Sequence, residues 1–387
     1  MINELNELAV GVDLGKEFSQ ITFYSRKNSE PMTVSQTAGE EDYQIPTPRE
    51  VFAAVEGERE NGPRLLADFL EQCLKLLAGA GKPDSLFLMV TMKKVRLVWA
   101  DAVWKAAALL QIPARNVYLQ DHRESFAYYM LNQRKDLWNY QAALFEYEKD
   151  RITAYEMDVD GRTKPAFVTV KEFSHIYVDE KARNGRSEEQ WKEEKDRLFY
   201  NQAEEMFRGR VFSSVYLIGE GFDREWAKNS LAFLCMKRHV FMGQNLYTKG
   251  ACYSAMQRCG MLKKGDYLYH GPDMMEYNIG MNMLIRGNEE YYPMISAGLN
   301  WYAAKSECEF VLDDTDCVEI CSVHMNGTKK THTIALTDLP ERPNRATRIH
   351  MKIEFASKDR CRVILEDLGL GNLYPSSGKR WEAVIPL

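Results

Sequence analysis

The chain has 387 residues, of which 45% are apolar, and its formal net charge is −6. This length predicts two or three domains, and the apolar fraction excludes a disordered chain. The mild negative charge excludes a broad nucleic-acid-binding face. Met1 to Leu8 contain no basic segment, and no apolar run approaches the roughly 18 residues of a membrane-spanning helix. We therefore expect a cytoplasmic protein without a signal peptide, whose partners are neither nucleic acids nor membranes, and whose cysteines are reduced.

The chain begins with a pattern that predicts a β-hairpin. Residues 8–13 form an apolar run that ends in Asp13, and residues 20–24 contain mostly β-branched and aromatic types. The segment between them contains Gly15 and Lys16. Such a pattern is typical of strand, tight turn and strand, with the acid at the throat of the hairpin.

Helical and strand patterns then alternate as far as about residue 265. Residues 26–45 are polar and predict a loop or short edge structure. Helical spacing of apolar residues occurs at 63–78, 97–110, 123–131, 187–207, 226–234 and 248–258. Strand patterns occur at 86–91, 117–119, 142–147, 151–157 and 213–218. The pair 142–147 and 151–157 predicts a second hairpin that repeats the first.

The pattern changes near Gly265, after which helical spacing disappears. Short alternating segments separated by Gly, Asn, Asp and Pro occur at 277–286, 307–311, 318–325, 332–336, 348–355 and 362–365. They predict a small antiparallel β-sandwich. We therefore expect two domains, at 1–265 and 266–387.

The order of these segments resembles the superfamily of heat-shock 70-kDa chaperones, actins and sugar kinases. The segments that carry the resemblance are residues 10–15, the hairpin at Phe145-Glu146, and residues 90–131, 215–222 and 247–255. After the boundary, the segments 278–280, 335–340, 349–355 and 362–365 are similar to the chaperones in particular.

The resemblance implies a two-lobed actin-like (ribonuclease H-like) α/β fold. The first lobe would span about 1–135 and the second about 136–265. The insert subdomains of the chaperones would be trimmed, because the stretches from Tyr24 to Leu86 and from Glu146 to Gly219 are short. The C-terminal β-sandwich would resemble the chaperone peptide-binding domain.

The resemblance also implies a site for ATP or ADP with Mg²⁺ between the lobes. The residues at the matching positions for the nucleotide are Asp13, Gly15, Lys16, Gly219, Gly221 and Lys249. Asp13 and Glu146 would hold the metal through waters, and in an active enzyme Asp13, Asp121 and Glu146 would be catalytic, with Glu124 as an alternative to Asp121.

The second hairpin departs from the superfamily pattern. Its glycines are replaced throughout residues 146–151, and Glu148 and Asp150 stand where phosphates would lie. A carboxylate that faces a phosphate in a desolvated site costs several kcal/mol. Lys16 and Glu17 also replace small hydroxyl residues of the first hairpin. These departures predict weak nucleotide binding and favour a protein that is not an enzyme.

Three functions remain open from the sequence. The first is a chaperone-like protein with a degenerate ATPase domain, a scaffold or weak nucleotide binder, whose β-domain binds a peptide or protein with an apolar groove that includes Met281 and Met283. The second is an active small ATPase or kinase, and the third is an actin-like structural module. The simpler interpretation of residues 13–15 is an ordinary hairpin turn, and that of residues 146–151 is a solvated charged turn.

Overall fold

The computed structural model divides the chain into two compact units, Met1–Gly271 and Pro272–Leu387. The domain and lobe boundaries drawn from the sequence, at residues 265 and 135, stay predictions. None of the described helices is long and apolar enough to cross a membrane. The residues that the structure describes are 7–35, 42–77, 83–178, 185–219, 221–222, 225–263 and 265–387.

The first unit starts with a sheet of six strands, which we call the first sheet. Its strands are β1 (Leu8–Asp13), β2 (Phe18–Tyr24), β3 (Met32–Thr33), β4 (Ile45–Pro46), β5 (Leu86–Met92) and β6 (Val117–Asp121). Their order is β3-β2-β1-β5-β6, and β4 also pairs with β2. β1 and β2 form the predicted antiparallel hairpin, with Asp13 opposite Gln20, whereas β5 and β6 run parallel to β1. β1 and β5 are central strands, as their nearly uninterrupted apolar sequences predict.

Four helices accompany the first sheet. The predicted helix at 63–78 is confirmed as α2, and it buries Leu66, Phe69, Leu70 and Cys73 along one stripe. α1 was not predicted, because eight residues carry too little of the helical period to be recognised. The helices are α1 (Arg49–Glu56), α2 (Gly62–Lys75), α3 (Leu97–Leu109) and α4 (His122–Leu131).

The second sheet repeats the topology of the first. Its strands are β7 (Gln141–Glu148), β8 (Arg151–Asp160), β9 (Ala166–Tyr177), β10 (Phe212–Ile218), β11 (His239–Gly243) and β12 (Tyr267–Tyr269). The order is β11-β10-β7-β8-β9-β12. β7, β8 and β9 form an antiparallel meander like that of β1, β2 and β3. β10 and β11 run parallel to β7, as β5 and β6 run parallel to β1. The predicted second hairpin, which repeats the first, is therefore confirmed as β7 and β8. Strands β9 and β11 were not predicted.

The helices that follow β9 are α5 (Glu188–Phe207), α6 (Lys228–Leu234) and α7 (Leu246–Arg258). Of the helices α1 to α7, α4 and α7 lie between the two sheets and connect them. The small residues of α7, such as Ala251 and Ala255, pack on Ala9 of the first sheet. α4 packs Phe126 against the second sheet. The other face of the second sheet is covered by α5, where Phe199 belongs to the same buried cluster as Phe145 of β7.

The second unit is a sandwich of two four-stranded antiparallel sheets, as predicted. Its strands are β13 (Tyr277–Ile285), β14 (Asn288–Ile295), β15 (Ser306–Val311), β16 (Cys317–His324), β17 (Lys329–Ala335), β18 (Arg348–Ser357), β19 (Arg360–Asp367), β20 (Gly369–Leu370), β21 (Tyr374–Pro375) and β22 (Arg380–Pro386). The two sheets have the orders β14-β13-β16-β17 and β15-β18-β19-β22, and β20 and β21 pair with each other in a separate two-stranded sheet. Ile279 and Ile320 of one share a core with Met351 and Val363 of the other. Its likeness to the chaperone peptide-binding domain is not confirmed and stays a prediction.

Candidate functional site

The two hairpins of the first unit face one cavity of about 600 Å³. The first hairpin contributes Asp13, Gly15 and Lys16 to its wall, and the second contributes Glu146 and Glu148. The cavity lies at the carboxyl ends of the parallel strands, which is where open α/β sheets usually place their ligands. The structure thus brings five of the predicted site residues to this cavity, namely Asp13, Gly15, Lys16, Glu146 and Gly219.

His122 lies between the two acids of the hairpins. Its Nε2 is 2.8 Å from Oδ1 of Asp13, and its Nδ1 is 3.9 Å from Oε1 of Glu146. Only 16% of the side chain is exposed. The histidine is the first residue of α4, so its position is fixed by the helix start that follows β6. It was not among the predicted site residues.

The charges around His122 favour the protonated form of its ring. Burial alone would lower the pKa of His122, but the charge of Asp13 and the hydrogen bond to it outweigh burial. Glu146 acts in the same direction, and the net result is a raised pKa. In its protonated form, the ring donates from Nε2 to Asp13 and places a positive charge between the two carboxylates.

Two tyrosines fix the carboxylate of Glu146. The hydroxyl of Tyr247 donates to Oε1 over 3.0 Å, and the hydroxyl of Tyr155 donates to Oε2 over 3.4 Å. Burial, followed by the charge of Glu146, raises the pKa of both tyrosines, so both hydroxyls keep their protons. The ring of Tyr247 also stacks on His122, with centroids 3.9 Å apart and planes at 19°.

Ion pairs join the first lobe to the tip of the second hairpin. Lys93, which follows β5, pairs with Glu148, and Glu17 pairs with Lys149 at 3.3 Å. Burial alone would raise the pKa of Glu148, but the hydrogen bond and charge of Lys93 lower it. Glu148 lines the cavity as expected, whereas Asp150 is not among the residues that line it in the described part of the chain.

The two glycines after β10 pack against the second hairpin. A Cβ at Gly219, whose φ is +99°, would collide with the carbonyl oxygen of Tyr147. A Cβ at Gly221 would collide with the ring of the same tyrosine. Their close approach is therefore to Tyr147, while the predicted contact with a nucleotide stays a prediction. Gly219 lines the cavity and Gly221 does not, as far as the structure describes its wall.

Asp121 and Lys249 are not brought to the cavity wall formed by the described residues. Asp121 is buried, and its Oδ1 accepts the backbone N–H of Glu124 over 2.8 Å as the N-cap of α4. Its Oδ2 accepts from Arg123 over 3.0 Å. Lys249 is half-buried on α7. The catalytic role expected for Asp121 and the nucleotide-binding role expected for Lys249 stay predictions.

The residues near Asp13 and Glu146 do not fit the Mg²⁺ ion that the expected superfamily implies. Mg²⁺ requires near-octahedral coordination at about 2.0–2.1 Å and usually keeps several waters. The ring of His122 lies in the space between the two acids, and both oxygens of Glu146 accept hydrogen bonds from tyrosines. Within the described ranges, no group of three or more His, Cys, Asp or Glu side chains is arranged to hold a metal ion.

Two family models match the chain. The model described as "Family of unknown function (DUF5716) C-terminal" matches residues 48–272, more than half of the chain. The chain belongs to this family. The model described as "Domain of unknown function (DUF8552)" matches residues 274–387. No curated protein is significantly similar to the chain.

Several solved structures are similar to part of the chain. An inorganic polyphosphate/ATP-glucomannokinase from Arthrobacter sp. strain KM is 13% identical, with 65% of this chain and 99% of that chain covered and a TM-score of 0.39. A glucokinase from an Antarctic psychrotroph is 8% identical, with 65% and 99% covered and a TM-score of 0.39. A Bacteroides thetaiotaomicron protein with actin-like ATPase fold and unknown function is 10% identical, with 64% and 96% covered and a TM-score of 0.34.

The names of these structures include two sugar kinases and a protein with actin-like ATPase fold. Because each TM-score is below 0.5, the architecture of the first unit is taken from the strand order of its two sheets alone.

Proposed function

We propose that the first unit is a nucleotide-binding module of actin-like architecture, which binds a phosphate-bearing small molecule such as ATP or ADP between its hairpins. The observation that carries this proposal is that two sheets, which share the order of five of their strands, present their first hairpins to one cavity. Its volume of about 600 Å³ lies within the usual range of ligand pockets, about 300–1,000 Å³.

Basic side chains at the cavity support an anionic ligand. Lys16 and Lys94 line the cavity and are exposed, and neither forms a salt bridge with a residue that the structure describes. Both ammonium groups are therefore available to phosphate oxygens. Lys93 also lines the cavity, although Glu148 engages it.

Thermal unfolding of the full chain with ATP, ADP or adenosine tests this function. A ligand at a hundred times its Kd adds about 2.7 kcal/mol to the free energy of unfolding. For a unit of this size the midpoint would rise by roughly 5–10 °C. We expect the rise with ATP and ADP but not with adenosine, and we expect Lys16→Ala to reduce it. Lys171→Ala, an exposed change away from the cavity, is the control. No rise with ATP in the wild type would contradict the proposal.

We expect binding with little or no hydrolysis, because the acids of the site are already engaged. Asp13 accepts from His122, Glu146 accepts from two tyrosines, and Asp121 caps α4. No carboxylate of this set is left to orient an attacking water. Phosphate release from ATP well above the rate in buffer would contradict this part of the proposal.

A small-molecule kinase is the second candidate, and an aromatic wall of the cavity favours it. The rings of Phe52 and Trp99 line the cavity, with centroids 4.5 Å apart and planes at 54°. Phosphate groups do not need such a wall, whereas an adenine base or an organic phosphoryl acceptor would pack on it. Formation of ADP that depends on an added sugar or other acceptor, and that Phe52→Ala abolishes, would support the kinase over simple binding.

For the second unit we propose binding of an extended apolar peptide. A groove of about 700 Å³, lined by Met281, Met283 and Leu284, adjoins β15, which is the end strand of its sheet. A peptide strand could pair with such an edge and place its side chains in the groove. Anisotropy of labelled apolar peptides should show binding that Leu284→Glu weakens and the equally exposed Val384→Glu does not. Equal binding by both variants would contradict this site.

A further inference from the structure

The space between the acids of the two hairpins is filled by a side chain of the protein itself. The ring of His122 lies 2.8 Å from Oδ1 of Asp13 through Nε2 and 3.9 Å from Oε1 of Glu146 through Nδ1. One acid belongs to the first hairpin and the other to the second. His122 therefore holds the position in which a cation shared by the two hairpins would have to lie.

The ring is held firmly in that position. Tyr247 stacks on it at 3.9 Å, and the hydroxyl of the same tyrosine donates to Glu146. The backbone is fixed as well, because the preceding residue, Asp121, caps the helix that His122 begins. A displacement of the ring would break its hydrogen bond to Asp13 and its stacking on Tyr247. We therefore expect the ring of His122 to stay between the two acids when a ligand binds.

The negative charge of a phosphate can be neutralised in this cavity without a metal ion. Lys16 and Lys94 line the same cavity, are exposed, and form no salt bridge in the part of the chain that the structure describes. A hydrated Mg²⁺ would need room for its waters as well as for itself, since it gives up its waters reluctantly. The two lysines offer the compensating charge with no such requirement.

We propose that the cleft binds its phosphate-bearing ligand free of divalent cation, with His122 in the place between Asp13 and Glu146 that the cation would need. This inference rests on the proposed function, and it specifies the chemical form of the ligand as the free nucleotide rather than its magnesium complex. It also separates nucleotide binding from the kinase alternative, because phosphoryl transfer of that kind relies on the metal.

Isothermal titration of the full chain with ATP, in excess Mg²⁺ and in excess EDTA, tests the proposal. We expect binding in EDTA that is as tight as in Mg²⁺, or tighter, because the free nucleotide carries more charge. Binding only in Mg²⁺ would overturn this inference and leave the proposed nucleotide binding intact. Absence of binding in both buffers would overturn the proposed function itself.

Titration with Mn²⁺ alone, followed by electron paramagnetic resonance, provides a readout that needs no nucleotide. We expect the wild type to show no Mn²⁺ site that depends on Asp13. His122→Ala opens the space between the acids, so we expect it to gain a Mn²⁺ site that is lost in the double variant Asp13→Ala/His122→Ala. A Mn²⁺ site in the wild type that Asp13→Ala removes would overturn the proposal.

His122→Asn serves as the second variant in case the alanine variant does not fold. The amide is smaller than the imidazole and can still donate to Asp13, but it carries no charge. We expect ATP binding by this variant to weaken in EDTA and to recover when Mg²⁺ is added. Unchanged binding in EDTA would mean that His122 does not take the place of a cation. Circular dichroism of each variant establishes that it is folded.

Discussion

The ring of Tyr147 lies directly against the main chain of Gly221, so closely that a Cβ at residue 221 would overlap its carbon atoms. The tyrosine belongs to the second hairpin, directly before the positions 148–150 where the resemblance would place glycines facing phosphate. Its ring turns away from solvent and joins Phe222 and Trp226 in a buried aromatic cluster. The glycine after β10 thus makes room for a tyrosine of the hairpin.

This contact predicts a coupling between the two residues. Gly221→Ala should lower the free energy of unfolding of the first unit by about 1–3 kcal/mol, because the methyl group overpacks the site. In a Tyr147→Ala background the same change should cost less than about 0.5 kcal/mol, because the ring is gone. Hydrogen exchange of the amides of β7 and β8 in the full chain measures both.

The control for that cycle is Gly243→Ala. Gly243 ends β11, and a Cβ there meets no atom within 4 Å. We expect no measurable loss of stability from this change. An equal cost of Gly221→Ala with and without the tyrosine ring would show that the ring is not the cause.

Removal of the Glu148 carboxylate should strengthen ATP binding. Glu148 lines the cavity and engages Lys93, so Glu148→Ala removes a negative charge and frees a positive one. Since the pair is about half exposed, solvent limits the gain to about 1 kcal/mol, or roughly fivefold in Kd. Isothermal titration measures the change.

Glu193→Ala is the matched control for Glu148→Ala, because it removes an exposed carboxylate from α5. Its Kd for ATP should equal that of the wild type. Weaker ATP binding by Glu148→Ala would mean that this carboxylate positions a ligand rather than repels it.

The local parts of this site could be predicted from the sequence. Each hairpin is made by neighbouring segments, and Asp13 and Glu146 occupy the strands whose patterns identified them. The parallel strands then bring both hairpins to one side, which follows from the repeated topology.

The role of His122 could not be predicted, because it depends on which of two neighbouring side chains, Asp121 or His122, caps the helix and which one faces the cleft. An Asp at the end of a parallel strand can face a ligand or cap the next helix, and both possibilities have the same sequence. Here Asp121 caps α4, and His122 faces the cleft instead. The contact of Tyr147 with Gly219 and Gly221 was missed for a related reason. It is formed between segments that are far apart in the sequence, and it depends on the direction in which the Tyr147 side chain points.

The stability of the second unit should fall in acid through Asp367. This buried carboxylate accepts two hydrogen bonds from Arg342, at 2.9 and 2.8 Å, and two more from Ser377. Burial alone would raise its pKa, but these hydrogen bonds reverse the effect and hold the pKa well below its usual range. A depressed pKa in the folded state stabilises the unit above the unfolded-state pKa, about 3.9. That stabilisation is lost progressively as the pH falls below this value.

Asp367→Asn tests the prediction. Loss of one partner of a buried ion pair typically costs about 3–5 kcal/mol, and the pH dependence below about pH 4 should become shallower because the titrating group is gone. Hydrogen exchange of the β18 and β19 amides reports on this unit within the full chain. Glu341→Gln, which changes an exposed acid beside Arg342, should leave exchange unchanged. Identical acid sensitivity of the Asp367→Asn variant and the wild type would contradict the assignment.

Variants of Asp121 separate a structural role from a catalytic one. Asp121→Ala removes both the N-cap of α4 and the partner of Arg123, so it should lower the free energy of unfolding of the first unit by about 2 kcal/mol. Asn is as good an N-cap as Asp, so Asp121→Asn should retain most of that stability. Because Asp121 is not among the described residues of the cavity wall, the asparagine variant should bind ATP as the wild type does. Thermal unfolding with and without ATP measures both quantities. Normal stability of Asp121→Asn together with lost ATP binding would instead place this carboxylate in the cleft, as its position at the end of β6 first suggested.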